Sequence, residues 1–295
     1  MSWWKKLKGK ISFNEPLSKH TTFKIGGQCC YFIEPKDADD LKLALSLLKK
    51  YKIPFLIIGA GSNILVSDKG LSGAVLHLGA PGFKKMIFKG GTIEAGAGCH
   101  LQRLINAAAN KGLCGYELLS GIPGSVGGAL VMNAGAGKDK ASFSDLVEKV
   151  TIMDYNSNIK VLSGKQLKFN YRKSNLSKYI VLSVRIKFNQ GNKKESVGKI
   201  REYLAYRRGM QDLAHHSAGC IFKNPAGVSA GKLIDACGLK GSSVGRASIS
   251  PKHANFIINR GGAGSDDVIK LIALARRKVK NKFNIDLKTE IQIWH

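Results

Sequence analysis

The sequence predicts a mixed α+β fold in two domains, and three observations predict it. Short apolar runs of strand length lie between amphipathic stretches of helix length. Glycine-rich turns follow several strands of the first half without the G-x-G-x-x-G spacing that opens a helix in a Rossmann unit. The composition changes at Gln190-Gly191-Asn192-Lys193-Lys194, which sets a boundary between residues 1–190 and 191–295. A chain of 295 residues can give both domains a core, and 44% apolar with 23% charged residues is ordinary globular composition.

The elements follow in order. Asp37 to Lys50 reads as an amphipathic helix, capped by Asp37, with Leu41, Ala44, Leu45 and Leu48 on one face. The apolar run Pro54 to Ile58 is a strand that enters Gly59-Ala60-Gly61-Ser62-Asn63, and Ile64 to Val66 is a second strand. Thr92 to Ala95 is a strand leading into Gly96-Ala97-Gly98, followed by a helix from His100 to Asn110 that turns Leu101, Leu104, Ile105 and Ala108 inward. The uncharged stretch Leu118 to Gly137 is long enough to span a bilayer. Its six glycines and one proline predict a buried loop instead. Strands are expected at Val147 to Tyr155 and Ile180 to Phe188. Helices are expected at Ser196 to Arg208, Ala230 to Cys237 and Ser265 to Phe283. The last strands are Asn255 to Ile258 and Lys288 to Trp294.

Lys and Arg total 47 against 20 Asp and Glu, a formal charge of +27. That excess favours anionic partners such as nucleotides and phosphosugars. The basic residues are scattered rather than gathered into one arm, and aromatics are only 8%, so a nucleic-acid-binding protein is not the expected reading. The six cysteines form no C-x-x-C, and their spacing suits neither a zinc site nor a secreted disulfide framework. Reduced thiols in a cytoplasmic protein fit best. The opening Met1-Ser2-Trp3-Trp4-Lys5-Lys6 lacks the apolar stretch of a signal peptide. Trp3 and Trp4 could touch a membrane surface, but a docked N-terminal helix is the expectation, with no stable membrane insertion. His215 and His216 read as loop histidines, and no metal site is expected.

Glycine lets backbone N–H groups approach phosphate oxygens with no Cβ in the way. Gly59-Ala60-Gly61 has Ile64 where a Rossmann site needs its third glycine, and Gly96-Ala97-Gly98 has Leu101 there. The Rossmann reading is therefore rejected. The turns at 59–63, 96–98 and 121–128 suggest instead a pyrophosphate held among separate loops.

These residues carry a resemblance. Thr21-Thr22-Phe23-Lys24-Ile25-Gly26-Gly27, Gly59-Ala60-Gly61-Ser62-Asn63 and Gly121-Ile122-Pro123-Gly124-Ser125-Val126-Gly127-Gly128-Ala129 resemble the UDP-N-acetylenolpyruvoylglucosamine reductases (MurB) in order and spacing. So do Tyr171-Arg172, Ser217 to Pro225, Ala230 to Ile234, Gly238 to Gly241 and His253 to Phe256. The resemblance implies an FAD-binding domain of the vanillyl-alcohol-oxidase (PCMH) type, made of two subdomains over 1–190. A smaller α+β substrate-binding domain over 191–295 would follow it. Only 47 residues separate Arg172 from Cys220, which resembles the branch of the family that lacks an extra tyrosine-bearing segment.

The resemblance implies an NADPH-dependent reductase that uses FAD to saturate the enolpyruvyl ether of a UDP-amino sugar, a step in peptidoglycan synthesis. The chemistry needs a hydride donor, fixed positive charge at the substrate carboxylate and a proton donor. The family match places Arg172 at the carboxylate, where a guanidinium can bind with two parallel hydrogen bonds. It places Cys220 as proton donor and Glu290, in the last strand, as a carboxylate assisting the same intermediate. Many relatives have serine where this chain has Cys220; a thiol, with a reference pKa of about 8.5, is intrinsically the better acid. FAD is expected to meet Gly59, Ala60, Gly61, Ser62, Asn63, Gly121, Ile122, Pro123, Gly124, Ser125, Gly127, Gly128, Ala129 and Asn133. Tyr171, Arg208, Lys223 and Asn224 are expected at the substrate. A monomer is expected. Another flavin oxidoreductase of the same fold is the nearest alternative, and Cys220 with Arg172 argues against it.

Overall fold

The structure, a computed structural model, describes residues 3–135 and 142–295; Met1, Ser2 and the end of the glycine-rich segment, Ala136 and Gly137, lie outside the described residues. The chain forms two compact units that are discontinuous in sequence. The first comprises residues 1–13, 31–60 and 73–206, the second residues 14–30, 61–72 and 207–295.

In the first unit, helix α1 (Ala38–Lys50) starts where Asp37 accepts hydrogen bonds from the backbone N–H groups of Asp39 and Asp40. That satisfies two of the donors a helix start leaves open. Asp39 and Asp40 occupy its first turn and Lys49 and Lys50 its last, as the helix dipole favours. The predicted face is buried, joined by Leu47. Asp40 is also buried, and its carboxylate accepts N–H bonds from Lys8, Gly9 and Lys36. This ties the N-terminal segment to α1. The expected N-terminal helix is a single 3-10 turn, Trp3–Lys6. Trp3 is buried there, with its ring 5.2 Å from Tyr31 and 6.0 Å from Tyr51.

Strands Phe55–Ile58 and Leu71–His77 pair in parallel. They belong to a four-stranded sheet with Gln28–Glu34 and Lys10–Pro16, two strands the sequence pattern does not reveal. A second sheet has five antiparallel strands in the order Ile159–Ser163, Val147–Met153, Ile180–Lys187, Thr92–Gly96, Met86–Lys89. Helix α2 (Leu101–Asn110) buries Leu101, Leu104, Ile105, Ala108 and Ala109. The expected glycine-rich loop contains structure: a 3-10 turn at Glu117–Leu119 and a short helix, α3 (Val126–Val131), capped by Ser125. Gly127 and Gly128 weaken the helical signal. The close approach of α3 to Ala97 requires one of them: a Cβ on Gly127 would lie 2.8 Å from that of Ala97. Helix α4 (Lys193–Met210) is mostly exposed and buries only Ser196 and Ile200.

In the second unit, four antiparallel strands run in the order His216–Cys220, Phe256–Asn259, Ala247–Ile249, Ser243–Val244. Helix α5 (Ala230–Ala236) is capped by Ser229. Helix α6 (Ser265–Phe283) has the predicted bounds and buries Val268, Leu271, Ile272, Ala275 and Val279. Its start is fixed by Asp68, which accepts from both the N–H and the hydroxyl of Ser265. Its end is closed by Asn284 in the left-handed region. The last strand is shorter than expected, Gln292–Trp294, and runs parallel to Ile64–Val66. Thr289 makes only an isolated bridge to Phe222, so Glu290 precedes the strand rather than belonging to it.

Candidate active site

In the first unit, two of the predicted glycine turns meet. A Cβ on Gly59 would lie 2.4 Å from Ser125 Oγ and 3.9 Å from the Cα of Gly128. The two turns can approach this closely only because Gly59 has no side chain. Several N–H groups of the second turn already have protein acceptors. Gly121 donates to Gln102 Oε1 at 2.6 Å and Ile122 to the Leu119 carbonyl. Val126 donates to Cys99, Gly127 to Ala97, Gly128 to Ser125 Oγ and Ala129 to the Ser125 carbonyl. These residues shape the turn. Ser120, next to Gly121, is fully buried, and among the described residues its hydroxyl has no hydrogen-bond partner. A buried hydroxyl of that kind costs roughly 1–3 kcal/mol unless something bonds to it. Two glycine turns drawn together without an intervening side chain, beside a buried hydroxyl, suit a nucleotide cofactor such as FAD.

Tyr171 and Arg172 form the two-residue turn of a small hairpin, with Phe169 opposite Ser174 and Asn170 opposite Lys173. Arg172 adopts a φ of 52°, and Asn133, just past α3, a φ of 44°. Backbone of this kind costs a side-chain-bearing residue on the order of 1–3 kcal/mol and persists only where its surroundings impose it. Here the surroundings are specific. Arg172 Nη2 donates to the Gly135 carbonyl at 2.8 Å and Nη1 to the Asn133 carbonyl at 3.4 Å. Asn133 Nδ2 donates to the Asn170 carbonyl at 3.1 Å, and its Oδ1 accepts from the Ser144 N–H at 3.3 Å. Ser174 Oγ donates to the Val131 carbonyl at 2.7 Å. The Arg172 guanidinium lies 5.2 Å from the centre of the Tyr171 ring, which is 53% exposed.

The second unit holds Gly61, Ser62, Asn63, Arg208, Cys220, Lys223, Asn224 and Glu290. Gly61 has a φ of +63° and passes so close to the His20 carbonyl that a Cβ would lie 1.9 Å from its oxygen. Asn63 Nδ2 donates to the Glu290 carbonyl at 3.2 Å, and the Glu290 N–H donates to the Ile221 carbonyl at 2.8 Å. Asn63, Glu290 and the residue after Cys220, far apart in sequence, are thus joined. Cys220 is half-buried at the end of its strand. Between Ser217 and Cys220 the strand carries one residue more than its partner, with Gly219 at a φ of 74°. A bulge of this kind re-aims the side chain that follows it. Lys223 N–H donates to the Lys288 carbonyl, and Asn224 Oδ1 accepts from the Ala230 N–H at 3.0 Å, fixing its loop to α5. Arg208 is exposed near the end of α4, and its carbonyl accepts from Lys252 Nζ.

Sequence reasoning assigned no bracing role to the residues that hold these groups. Asn255 Oδ1 accepts from the Phe222 N–H, and its Nδ2 donates to the Phe222 carbonyl. The amide so substitutes for a neighbouring strand. Asn255 is itself held by its N–H to His253 Nδ1 at 3.2 Å. Burial pushes His253 below the ordinary histidine value. Burial would raise Asp212, but hydrogen bonds from His215 and Ser250 outweigh it and leave the carboxyl below its usual range. Among the described residues, no group of three or more His, Cys, Asp or Glu could hold a metal ion. None of the six cysteines is in a disulfide.

Two family models match the chain: an FAD binding domain over residues 30–163 and the UDP-N-acetylenolpyruvoylglucosamine reductase C-terminal domain over 211–294. The UDP-N-acetylenolpyruvoylglucosamine reductase of Caldanaerobacter subterraneus subsp. tengcongensis is 44% identical over 287 residues, covering 97% of this chain and 94% of its own. The chain belongs to the UDP-N-acetylenolpyruvoylglucosamine reductase family. The reductase of that name from Bacillus subtilis is 39% identical, again over 97% of this chain and 94% of its own. The crystal structure of the UDP-N-acetylenolpyruvylglucosamine reductase (MurB) from Thermus caldophilus superposes with a TM-score of 0.83 at 36% identity. The match covers 98% of this chain and all of that one. The expected α+β class with an FAD-binding domain is borne out by these matches.

Proposed function

We propose that this chain reduces the enolpyruvyl group of UDP-N-acetylglucosamine enolpyruvate to give UDP-N-acetylmuramate, with FAD as cofactor and NADPH as reductant. Membership of the reductase family across nearly the whole chain carries the reading. The cofactor would be held by residues 59–63, by 121–125 and by the turn that Gly127, Gly128 and Ala129 shape. Bound there and reduced by NADPH, FAD would supply the hydride equivalent for the terminal methylene carbon.

The protein's own groups do the rest. The double bond is conjugated to a carboxylate, so addition at the methylene leaves negative charge on the ether-bearing carbon and in that carboxylate. Arg172 holds the carboxylate and neutralises the charge, its guanidinium braced by two carbonyls before substrate arrives. Preorganised charge of this kind costs no rearrangement when the reaction occurs. Cys220 Sγ gives its proton to the ether-bearing carbon. Hydride and proton together add one molecule of hydrogen across the double bond. Glu290, tied by its backbone to Ile221, assists at the same carbon. Tyr171, Arg208, Lys223 and Asn224 bind the UDP-sugar.

The division at 190/191 into an FAD-binding and a substrate-binding domain belongs to the same reading, and so does a cytoplasmic monomer that does not bind nucleic acid. Among the described residues no helix is long and apolar enough to cross a membrane. The purified flavoprotein, mixed with NADPH and the UDP-enolpyruvyl sugar, tests the reading. The sugar nucleotide should gain two hydrogens as NADPH is consumed. A flavoprotein that consumes NADPH and leaves the sugar unchanged would overturn it.

A further inference from the structure

Asn133 lies at the end of the glycine-rich segment, and the sequence reading groups it with the cofactor residues. Its geometry gives it other work. The side-chain amide is engaged at both ends inside the protein: Nδ2 on the Asn170 carbonyl and Oδ1 on the Ser144 N–H. Asn170 immediately precedes the Tyr171–Arg172 turn. From that turn the Arg172 guanidinium reaches back to the carbonyls of Asn133 itself and of Gly135. The two residues thus brace each other, each from a left-handed backbone, which asparagine tolerates and arginine does not favour. Asn133 is buried, so water does not compete for these bonds. Ser174 on the Val131 carbonyl adds a third tie between the same two segments.

We infer that Asn133 is a positioning residue for Arg172, setting the hairpin turn so that the guanidinium meets the substrate carboxylate. This rests on the carboxylate-binding role proposed for Arg172. Two segments are thereby coupled: the one that follows the glycine turn and the one that presents the charge. Asparagine suits the position because it tolerates the left-handed backbone and carries a donor and an acceptor on one short side chain. Aspartate would keep the acceptor and the backbone preference but would set a carboxylate oxygen against the Asn170 carbonyl in place of the donor. Glycine would keep the backbone and lose both.

The test uses the FAD holoenzyme with Asn133→Gly, Asn133→Asp, Arg172→Ala and the Asn133→Gly/Arg172→Ala double variant. Three quantities are read: flavin content, the rate of flavin reduction by NADPH, and the rate of reoxidation by the UDP-enolpyruvyl sugar. Binding of that sugar to the oxidised holoenzyme, by calorimetry, gives a readout without turnover. Asn133→Gly should retain flavin and its reduction by NADPH, slow reoxidation about 30-fold or more and weaken sugar binding. Asn133→Asp should show the same defect, because the tie to Asn170 is lost there too. In the Arg172→Ala background, removing Asn133 should cost almost nothing further, because the group it positions is gone. Equal slowing by Asn133→Gly in both backgrounds would overturn the inference, as would flavin loss in Asn133→Asp, which would return Asn133 to the cofactor. Unimpaired reoxidation in Arg172→Ala would remove instead the role of Arg172 on which the inference stands.

Discussion

Replacing Arg172 with lysine keeps the positive charge and the Cβ, so the cost of a φ of 52° is the same in both proteins. What changes is the fork. The guanidinium holds the Gly135 and Asn133 carbonyls at 2.8 and 3.4 Å through different nitrogens, and its plane can at the same time offer parallel donors to a carboxylate. An ammonium is a point charge on a flexible stem and cannot occupy both carbonyls and a bidentate carboxylate in fixed geometry. Losing one preorganised donor to developing charge costs about 3–4 kcal/mol, or about 10²–10³ in rate. Losing one hydrogen bond to a carbonyl costs the fold only about 1–3 kcal/mol. Arg172→Lys should therefore fold, bind FAD and accept electrons from NADPH at close to the wild-type rate. Reoxidation of its flavin by the UDP-enolpyruvyl sugar, followed by anaerobic stopped-flow absorbance, should slow by about 10²–10³. Reoxidation within about threefold of wild type would show that the guanidinium plane is not what the reaction uses.

Three other outcomes follow from the same geometry. Cys220→Ala should keep the flavin and its reduction by NADPH but lose turnover of the sugar, while Cys220→Ser retains part of it; a fully active alanine variant would remove the thiol from the mechanism. Gly61→Ala should destabilise the protein by about 3 kcal/mol or more in urea unfolding, because a Cβ there meets the backbone of His20 and Thr21 from a φ of +63°. A loss of under about 1 kcal/mol would mean that the 61–63 turn yields easily. His253 has its value lowered by burial, so the unfolded chain binds its proton more readily than the folded one. Its contribution is intact above the ordinary histidine pKa of about 6.5 and is lost as pH falls toward the depressed folded value. Protonation also removes the acceptor for the Asn255 N–H. His253→Gln should therefore flatten the acid-side fall in stability, and an unchanged pH profile would contradict this.

Much of the fold is written in local periodicity. Helices α1, α2 and α6 carry their buried faces at i, i+3 and i+4 spacing, and α6 ends where Asn284 can turn left-handed. Helix α3 is not legible, because two of its six residues are glycines whose helical cost is offset by tertiary packing and the Ser125 cap. Strands Lys10–Pro16 and Gln28–Glu34 are hidden for another reason: their burial does not alternate cleanly, and their pairing is set by distant partners. The last strand reads too long because Thr289 and Glu290 look extended in sequence, yet bond to Phe222 and Ile221 instead of to a ladder.

The site divides the same way. The residues proposed to face the chemistry, Arg172 and Cys220 among them, stand in motifs whose order is visible in the chain. Residues that brace them are not visible. Ser174, Asn255 and the second role of Asn133 act through hydrogen bonds spanning 43, 33 and 37 positions, and no window of sequence contains both ends. All three are small polar side chains that are deeply buried, a property no sequence window displays.

The central claim is that a flavin held by glycine turns passes electrons to an enolpyruvyl acid whose new charge Arg172 takes up. Anaerobic stopped-flow on the wild-type holoenzyme tests it directly. The visible flavin band should bleach on mixing with NADPH and return at the rate of turnover when the UDP-enolpyruvyl sugar is added. A reduced flavin that stays bleached in the presence of that sugar would contradict the account.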